Sequence, residues 1–242
     1  MHHLLRKQTI TLFAFAFFVL AGYKSQAQIQ LYRQDHDDLP YYFGLTLSYN
    51  SSFLHQTKSN KFLQSDSVLI AEPGASGGIA LGLLGTLRIN DYWQFRANPQ
   101  LIIGGSKYLS YNLLHTAAGE ADFQRKILPS NIVSFPFQIK FNSDRIGNFR
   151  TYLLGGIKYD IDLASNSTAR NADDLIKLAR YDFGVEAGIG FNFYLPFVTI
   201  SPEIKISNGL SNLHQVDPAL KFSNVLDKIQ SRMIVFSIHF ED

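Results

Sequence analysis

The chain has 242 residues, with 22 Lys+Arg against 20 Asp+Glu, a formal charge of +2, 46% hydrophobic residues and no cysteine. Without Cys there is no disulfide framework and no thiolate chemistry, and a charge this near zero leaves no footprint for nucleic acid. Hydrophobic content of this order suits a soluble domain, but it suits a membrane barrel equally, because barrel strands average an apolar wall with a polar one.

The first element is a leader: Arg6 and Lys7, an apolar stretch from Ile10 to Gly22, then Ser25-Gln26-Ala27 with small residues where a signal peptidase inspects. It is too short to span a bilayer as a helix and reads as a secretory signal, residues 1–27, cleaved after Ala27. Arg6, Lys7 and Lys24 leave with it and no acid does, so the mature chain is near −1. Residues 28–40 read as a periplasmic linker, whose Asp35-His36-Asp37-Asp38 run beside Pro40 is more readily a solvated acidic stretch than a cation chelate.

From Tyr41 onward, residues 41–242 form the barrel domain. Eight segments alternate apolar and polar residues: 41–52, 76–90, 92–105, 131–142, 149–160, 180–193, 197–209 and 229–240. Successive side chains on a strand point to opposite faces, so each has one greasy and one wet wall. In the clearest, Phe183, Val185, Ala187, Ile189, Phe191 and Phe193 alternate with Asp182, Gly184, Glu186, Gly188, Gly190 and Asn192. The connections alternate too: long at 53–75, 106–130, 161–179 and 210–228, short at 90–91, 143–148 and 194–196. That is the rhythm of an all-β, eight-stranded antiparallel up-and-down transmembrane barrel of outer-membrane type, with short periplasmic turns and both termini in the periplasm.

Two features weigh against a half-buried soluble sheet, and the first of them, with the chain-terminal Phe240, weighs against a soluble lipocalin-like barrel with the apolar set inside. Bulky aromatics gather where strands meet the short turns: Tyr41, Phe43, Trp93, Phe95, Phe141, Phe149, Phe191, Phe193, Phe197 and Phe240. Rings with an apolar body and a polar edge favour the membrane interface, so these predict a periplasmic-side girdle. The wet wall carries Arg88, Arg96, Lys140, Arg150, Lys158 and Lys205 beside Asp160, Asp182, Glu186 and Glu203. Eight strands enclose just enough room for side chains, so these ten predict a structural ion-pair network in a plugged lumen. The last strand, Ile234 to Phe240, resembles the C-terminal strand by which barrel-assembly machinery recognises its clients.

Phe43-Gly44-Leu45-Thr46-Leu47 to Asn50, Leu87-Arg88-Ile89-Asn90 with Phe95-Arg96 and Pro99, Phe135-Pro136 with Lys140, and Arg145 with Asn148-Phe149-Arg150 and Tyr152 resemble the PorT/SprT family of Bacteroidota outer-membrane barrels. Gly155-Gly156, the run Tyr181 to Tyr194, Ser201-Pro202-Glu203-Ile204-Lys205, Gly209 with Asn212, and Ser231-Arg232-Met233 ahead of Phe240-Glu241 continue the likeness over nearly all the mature chain. The resemblance implies a non-enzymatic accessory of the type IX secretion system, serving export of proteins with C-terminal sorting domains and, in gliding species, gliding motility. It also implies other type IX secretion proteins as partners, beside outer-membrane lipid and the assembly machinery, and no catalytic residue.

Other chemistry finds little support. Ser237 and His239 share a strand face, as a nucleophile and base would in a lipid A-modifying barrel enzyme, but they lack an obvious carboxylate orienter and read as structural lumen residues. Gly74-Ala75-Ser76-Gly77-Gly78 lacks the Lys-Ser/Thr of a phosphate loop. Gly184, Gly188 and Gly190 read as making room for Arg or Lys stems, and Leu175 to Arg180 as a helical turn packed on the rim. No metal or cofactor site is expected. The alternative to a secretion role is a general small barrel, adhesin-like or a narrow pore.

Overall fold

A computed structural model describes residues 30–58, 68–104, 107–113, 123–165, 178–215 and 226–242. The leader assigned to residues 1–27 lies outside them, as do residues 175–177 of the expected helical turn. Ala179 and Arg180 are not helical, and Leu178 forms an isolated bridge with His214.

The strands are β1 (Tyr41–Lys58), β2 (Val68–Gly74), β3 (Ser76–Arg88), β4 (Trp93–Ala97), β5 (Gln100–Ile103), β6 (Lys107–Leu113), β7 (Phe123–Leu128), β8 (Ile132–Asn142), β9 (Phe149–Asp162), β10 (Tyr181–Tyr194), β11 (Thr199–Gly209) and β12 (Leu226–Glu241). They pair antiparallel in the order β1-β12-β11-β10-β9-β8-β4-β3-β5, and the pairings of β1 with β3 and β8 with β5 close the ring. The ring has eight walls because β4 and β5 are two halves of one, interrupted at Asn98-Pro99. Pro99 has no N–H to give, yet its carbonyl accepts from Leu83 N–H at 2.9 Å and Asn98 N–H donates to Pro136 at 3.1 Å, which carries the ladder across the break.

The register fixes the stagger. A path of paired residues leaves β9 at Asp162 and crosses Ile132, Ile102, Ala80, Ser48, Ser237, Glu203 and Gly190. It returns to β9 at Tyr152, ten positions nearer the short turns. Stagger of this kind is what tilts strands and closes a sheet into a barrel without edges.

Parity sorts the side chains as the alternation predicts. Leu45, Leu83 and Ile157 stand outward with 59%, 64% and 47% of their surface exposed, while Thr46, Arg96 and Lys158 point inward at 2%, 0% and 3%. In water, such an apolar exterior would be an aggregation liability; on a closed antiparallel ring, it is a hydrocarbon-facing wall. The turn-side aromatics meet in pairs, Trp93 with Phe141 at 4.8 Å and Phe149 with Phe193 at 5.2 Å between ring centres. Near the long-loop end of β9 and β10, Tyr159 and Tyr181 stack at 6.0 Å, part of a second aromatic level.

Two long connections differ from the expected plain loops. β1 runs on beside β12 to Lys58 after β3 has begun at Ser76, and β2, β6 and β7 make a separate three-stranded antiparallel sheet, order β2-β6-β7. In chain order β2 precedes β3 across Ala75, β6 follows β5 beyond Gly104, and β7 precedes β8 across Pro129-Ser130-Asn131.

Candidate functional site

The barrel interior is where the sequence concentrates its chemistry, and the stagger decides which charges meet. Arg96 on β4 bonds Glu203 of β11 and Glu241 of β12, each at 2.9 Å, with all three side chains fully buried. Glu203 also accepts the Tyr152 hydroxyl at 2.8 Å and lies 3.4 Å from His239 Nε2 and 3.5 Å from Lys205 Nζ. Lys205 reaches Glu186 at 3.9 Å, and Gln138 donates to the same Glu186 carboxylate. Lys140 sits 3.9 Å over the Tyr152 ring, a cation–π contact in a desolvated setting, and donates to Asn192 at 3.3 Å.

Nearer the long loops, Lys158 pairs with Asp160 at 2.5 Å, Ser134 donates to Asp160 at 2.5 Å, and Ser231 donates to Asp182. Beside this second polar group, the apolar cluster Ala80, Ile102, Ile132, Met233 and Val235 fills lumen space between the β3–β5–β8 wall and β12. The hollow bordered by Lys107, Asp160 and Asp182 holds only about 20 Å³, room for about one water.

Of the ten predicted lumen charges, Arg96, Lys140, Lys158, Asp160, Asp182, Glu186, Glu203 and Lys205 are buried inside. Arg88 and Arg150 are elsewhere: they share the inward parity but sit at the short-turn mouth, where Arg88 pairs with Asp38 at 3.5 Å and Asp91 at 2.5 Å, and Arg150 with Asp37 at 3.2 Å. The expected solvated run is exposed at Asp35 and Asp38, but His36 is buried and Asp37 is half-buried. Asp35–Asp37 form a 3-10 turn with His36 buried, its ring 4.5 Å from Tyr42 and 6.0 Å from Tyr194. Asp37 accepts from Arg145 at 2.8 Å and from the Tyr194 hydroxyl at 3.2 Å, so both its oxygens are occupied by protein donors. Arg145 also stacks on Tyr194 at 3.7 Å and bonds Asn148, while Tyr32 N–H donates to Asn148 at 2.8 Å. Arg33 donates to the Glu241 carbonyl at 2.9 Å. Residues 32–40 therefore cap the short-turn mouth. Burial pushes the His36 imidazole below its ordinary value of 6.5, with Glu241 and Asp37 pulling it up against Arg33 and Lys140.

Sequence reasoning missed Glu241, Asp37 and Tyr152 as network members. It also placed no carboxylate beside His239; Glu203 is there. His239 is nonetheless fully buried with Nδ1 2.8 Å from Thr46 Oγ1, and Ser237 bonds Ser48 at 2.9 Å instead of His239, so no nucleophile–base pair faces a substrate. The lumenal glycines divide: an added Cβ would meet the Asn208 and Ile204 carbonyls first and the Lys158 and Lys205 stems next at Gly184 and Gly188, and the Tyr152 ring at Gly190. Among the described residues no cluster of His, Asp and Glu is grouped to hold a metal. Of the aromatic girdle, Tyr41, Phe43, Trp93, Phe95, Phe141, Phe191, Phe193 and Phe240 are exposed on the outer wall, Phe149 is half-buried among them, and Phe197 is 92% exposed at the tip of the β10–β11 turn.

Three solved structures resemble the chain. Neisserial surface protein A is 11% identical, with 82% of this chain and 96% of that one covered and a TM-score of 0.38. Ail, the attachment invasion locus protein of Yersinia pestis, crystallised with the heparin analogue sucrose octasulfate, is 11% identical over 84% and 100% at 0.38. OprG of Pseudomonas aeruginosa is 14% identical over 83% and 93% at 0.42. No curated protein matches. Residues 26–215 match the family described as outer membrane protein beta-barrel domain, and the chain, an eight-stranded barrel with a hydrocarbon-facing wall and a polar, filled interior, belongs to that family.

Proposed function

We propose that the protein is a closed, non-enzymatic barrel of the outer membrane, with both termini periplasmic, that works as an adhesin-like binding surface at its long-loop end. The observation that supports this is the packed lumen: among the described residues Arg96, Glu203, Glu241, His239 and Lys140 are buried inside it, and the apolar cluster occupies the space beside the second polar group. A narrow pore is the weaker half of the small-barrel reading for the same reason. What remains free to act is the extension of β1 and β12 and the sheet β2-β6-β7, structure beyond the barrel ring that closing the barrel does not require. Loops held on a rigid scaffold are where binding residues concentrate. The test replaces residues 53–75 and 104–131 by short turns: the variant should keep its heat-modifiable barrel and its lack of conductance in planar bilayers, while losing the surface binding that cells gain from the intact protein. Steady conductance by the intact protein, or full binding by the variant, would refute the reading.

A second reading, an accessory role in type IX secretion alongside other secretion proteins, has one observation in its favour. Arg145, Asn148 and Arg150, which carry the resemblance to the PorT/SprT family, converge with Tyr194 on the segment 32–40 at the short-turn mouth, where a periplasmic partner would dock. Deleting the gene and finding no periplasmic retention of proteins with C-terminal sorting domains would dismiss this role.

A further inference from the structure

The outer wall carries an open depression of about 700 Å³, lined almost wholly by apolar side chains of β3, β1, β12, β11 and β10. Pro202 lies in it. The outward residues Ile204, Phe236 and Tyr49 are successive cross-strand partners and form one rim. One pleat nearer the short turns, Pro202 lies between Phe191 and Ile238, and its compact ring stands low between two larger neighbours. Proline also has no N–H for the ladder: pairing of β10 with β11 stops at Gly190 with Glu203 and resumes only at Phe193 with Ile200. A closed barrel has no edge strand on which to hide a proline, so the seam stays on the lipid-facing wall.

We infer that this hollow is a specific site for an acyl chain of a glycerophospholipid from the leaflet on the short-turn side. It opens on the wall that hydrocarbon already covers, so the occupant arrives from a continuous apolar phase. Pro202 is three residues from the start of β11 at Thr199, about 10 Å along the strand at 3.3 Å per residue, which is less than half of a hydrocarbon core about 30 Å thick. An acyl chain from that leaflet reaches this depth with its headgroup at the aromatic level of Phe193 and Phe240, the cross-strand neighbours of Ile200 near the start of β11. The dent would hold such a chain against a fixed surface.

Native mass spectrometry of the protein released from phosphatidylethanolamine nanodiscs tests it. The wild type should retain one phospholipid at collision energies that strip the rest. Ile204→Trp, which fills the hollow, should lose that lipid, and so should Ile238→Trp, which serves if the first fails the heat-modifiability check for folding. Ile157→Trp on β9, outward but away from the hollow, should retain it. Equal retention by all four proteins overturns the site. So does release of the wild type as a dimer without lipid, which would make a second copy the occupant, or retention of lipid A in place of phospholipid from mixed nanodiscs. None of these results bears on a partner at the loop end.

Discussion

Arg96→Met is the sharpest perturbation of the interior. The guanidinium makes two charge-assisted bonds of 2.9 Å with no solvent in reach of any partner. Hydrogen bonds to charged groups are worth about 1.5–3 kcal/mol each, and removing one member of a buried pair typically costs about 3–5 kcal/mol, because the other charge stays buried. The two acids do not share this equally. Glu203 keeps Tyr152, His239 and Lys205, while among the described residues Arg96 is the one side chain within ion-pair distance of the Glu241 carboxylate. Most of the loss should therefore come from Glu241, and a second substitution, Glu241→Met, should recover part of it, a coupling of roughly 1–3 kcal/mol in a double-mutant cycle. Urea unfolding in phospholipid vesicles, followed by the mobility shift of folded barrel on unheated gels, measures each variant. Arg88→Met is the control: its partners Asp38 and Asp91 are largely exposed, and exposed pairs contribute about 0–1 kcal/mol. If Arg96→Met unfolds at the wild-type midpoint, or no earlier than Arg88→Met, the lumenal network is not what holds the barrel closed.

Ile189→Arg puts a charge on the hydrocarbon wall and should cost about 2–4 kcal/mol near the midplane. Gly190→Ala, one residue on and facing inward, should cost roughly 1–3 kcal/mol by overpacking, since its Cβ would fall 2.3 Å from the Tyr152 ring; the same vesicle titration checks both, and a wild-type midpoint for either denies its assigned face. Asp37→Ala removes acceptors from Arg145, Arg150 and Tyr194, so limited proteolysis should cut residues 32–40 faster while the barrel's own urea midpoint stays put. For His36, burial favours the neutral ring. The released segment takes up its proton near pH 6.5 and the docked one only at lower pH, so docking is at full strength above that pH and weakens as pH falls through it. Amide protection of residues 32–40, taken relative to the intrinsic exchange rate at each pH, should then fall between pH 7.5 and pH 5 and lose that dependence in His36→Phe; protection that ignores pH in the wild type would refute the coupling to the buried ring.

The architecture was legible because its signal is local. A lipid-facing wall demands an apolar residue at every second position, so Phe183, Val185 and Ile189 expose their role within one strand, and the alternation of short and long connections orders the strands without any contact being known. Strand ends were harder. Pro73-Gly74 at the end of β2 and Gly104 after β5 have the composition of loops, so β2 and β6 were indistinguishable from loop.

The site was legible in membership and not in pairing. Inward parity picks out Arg96 and Glu203, but which inward charges touch depends on a stagger that brings together residues 107 positions apart, and 145 for Arg96 with Glu241. No property of either neighbourhood encodes that offset. The same geometry separates Arg88 and Arg150 from the lumen: both have the right parity, yet each sits at the short-turn end of its strand, where a long side chain reaches past the wall to the mouth. There it finds Asp37 and Asp38, whose acidic run looks solvated until Arg145 and Arg150 are folded onto it. An acidic stretch and a set of arginines over 100 residues away neutralise each other only once the ring has closed, so the cap is a consequence of the barrel and could not be read before it.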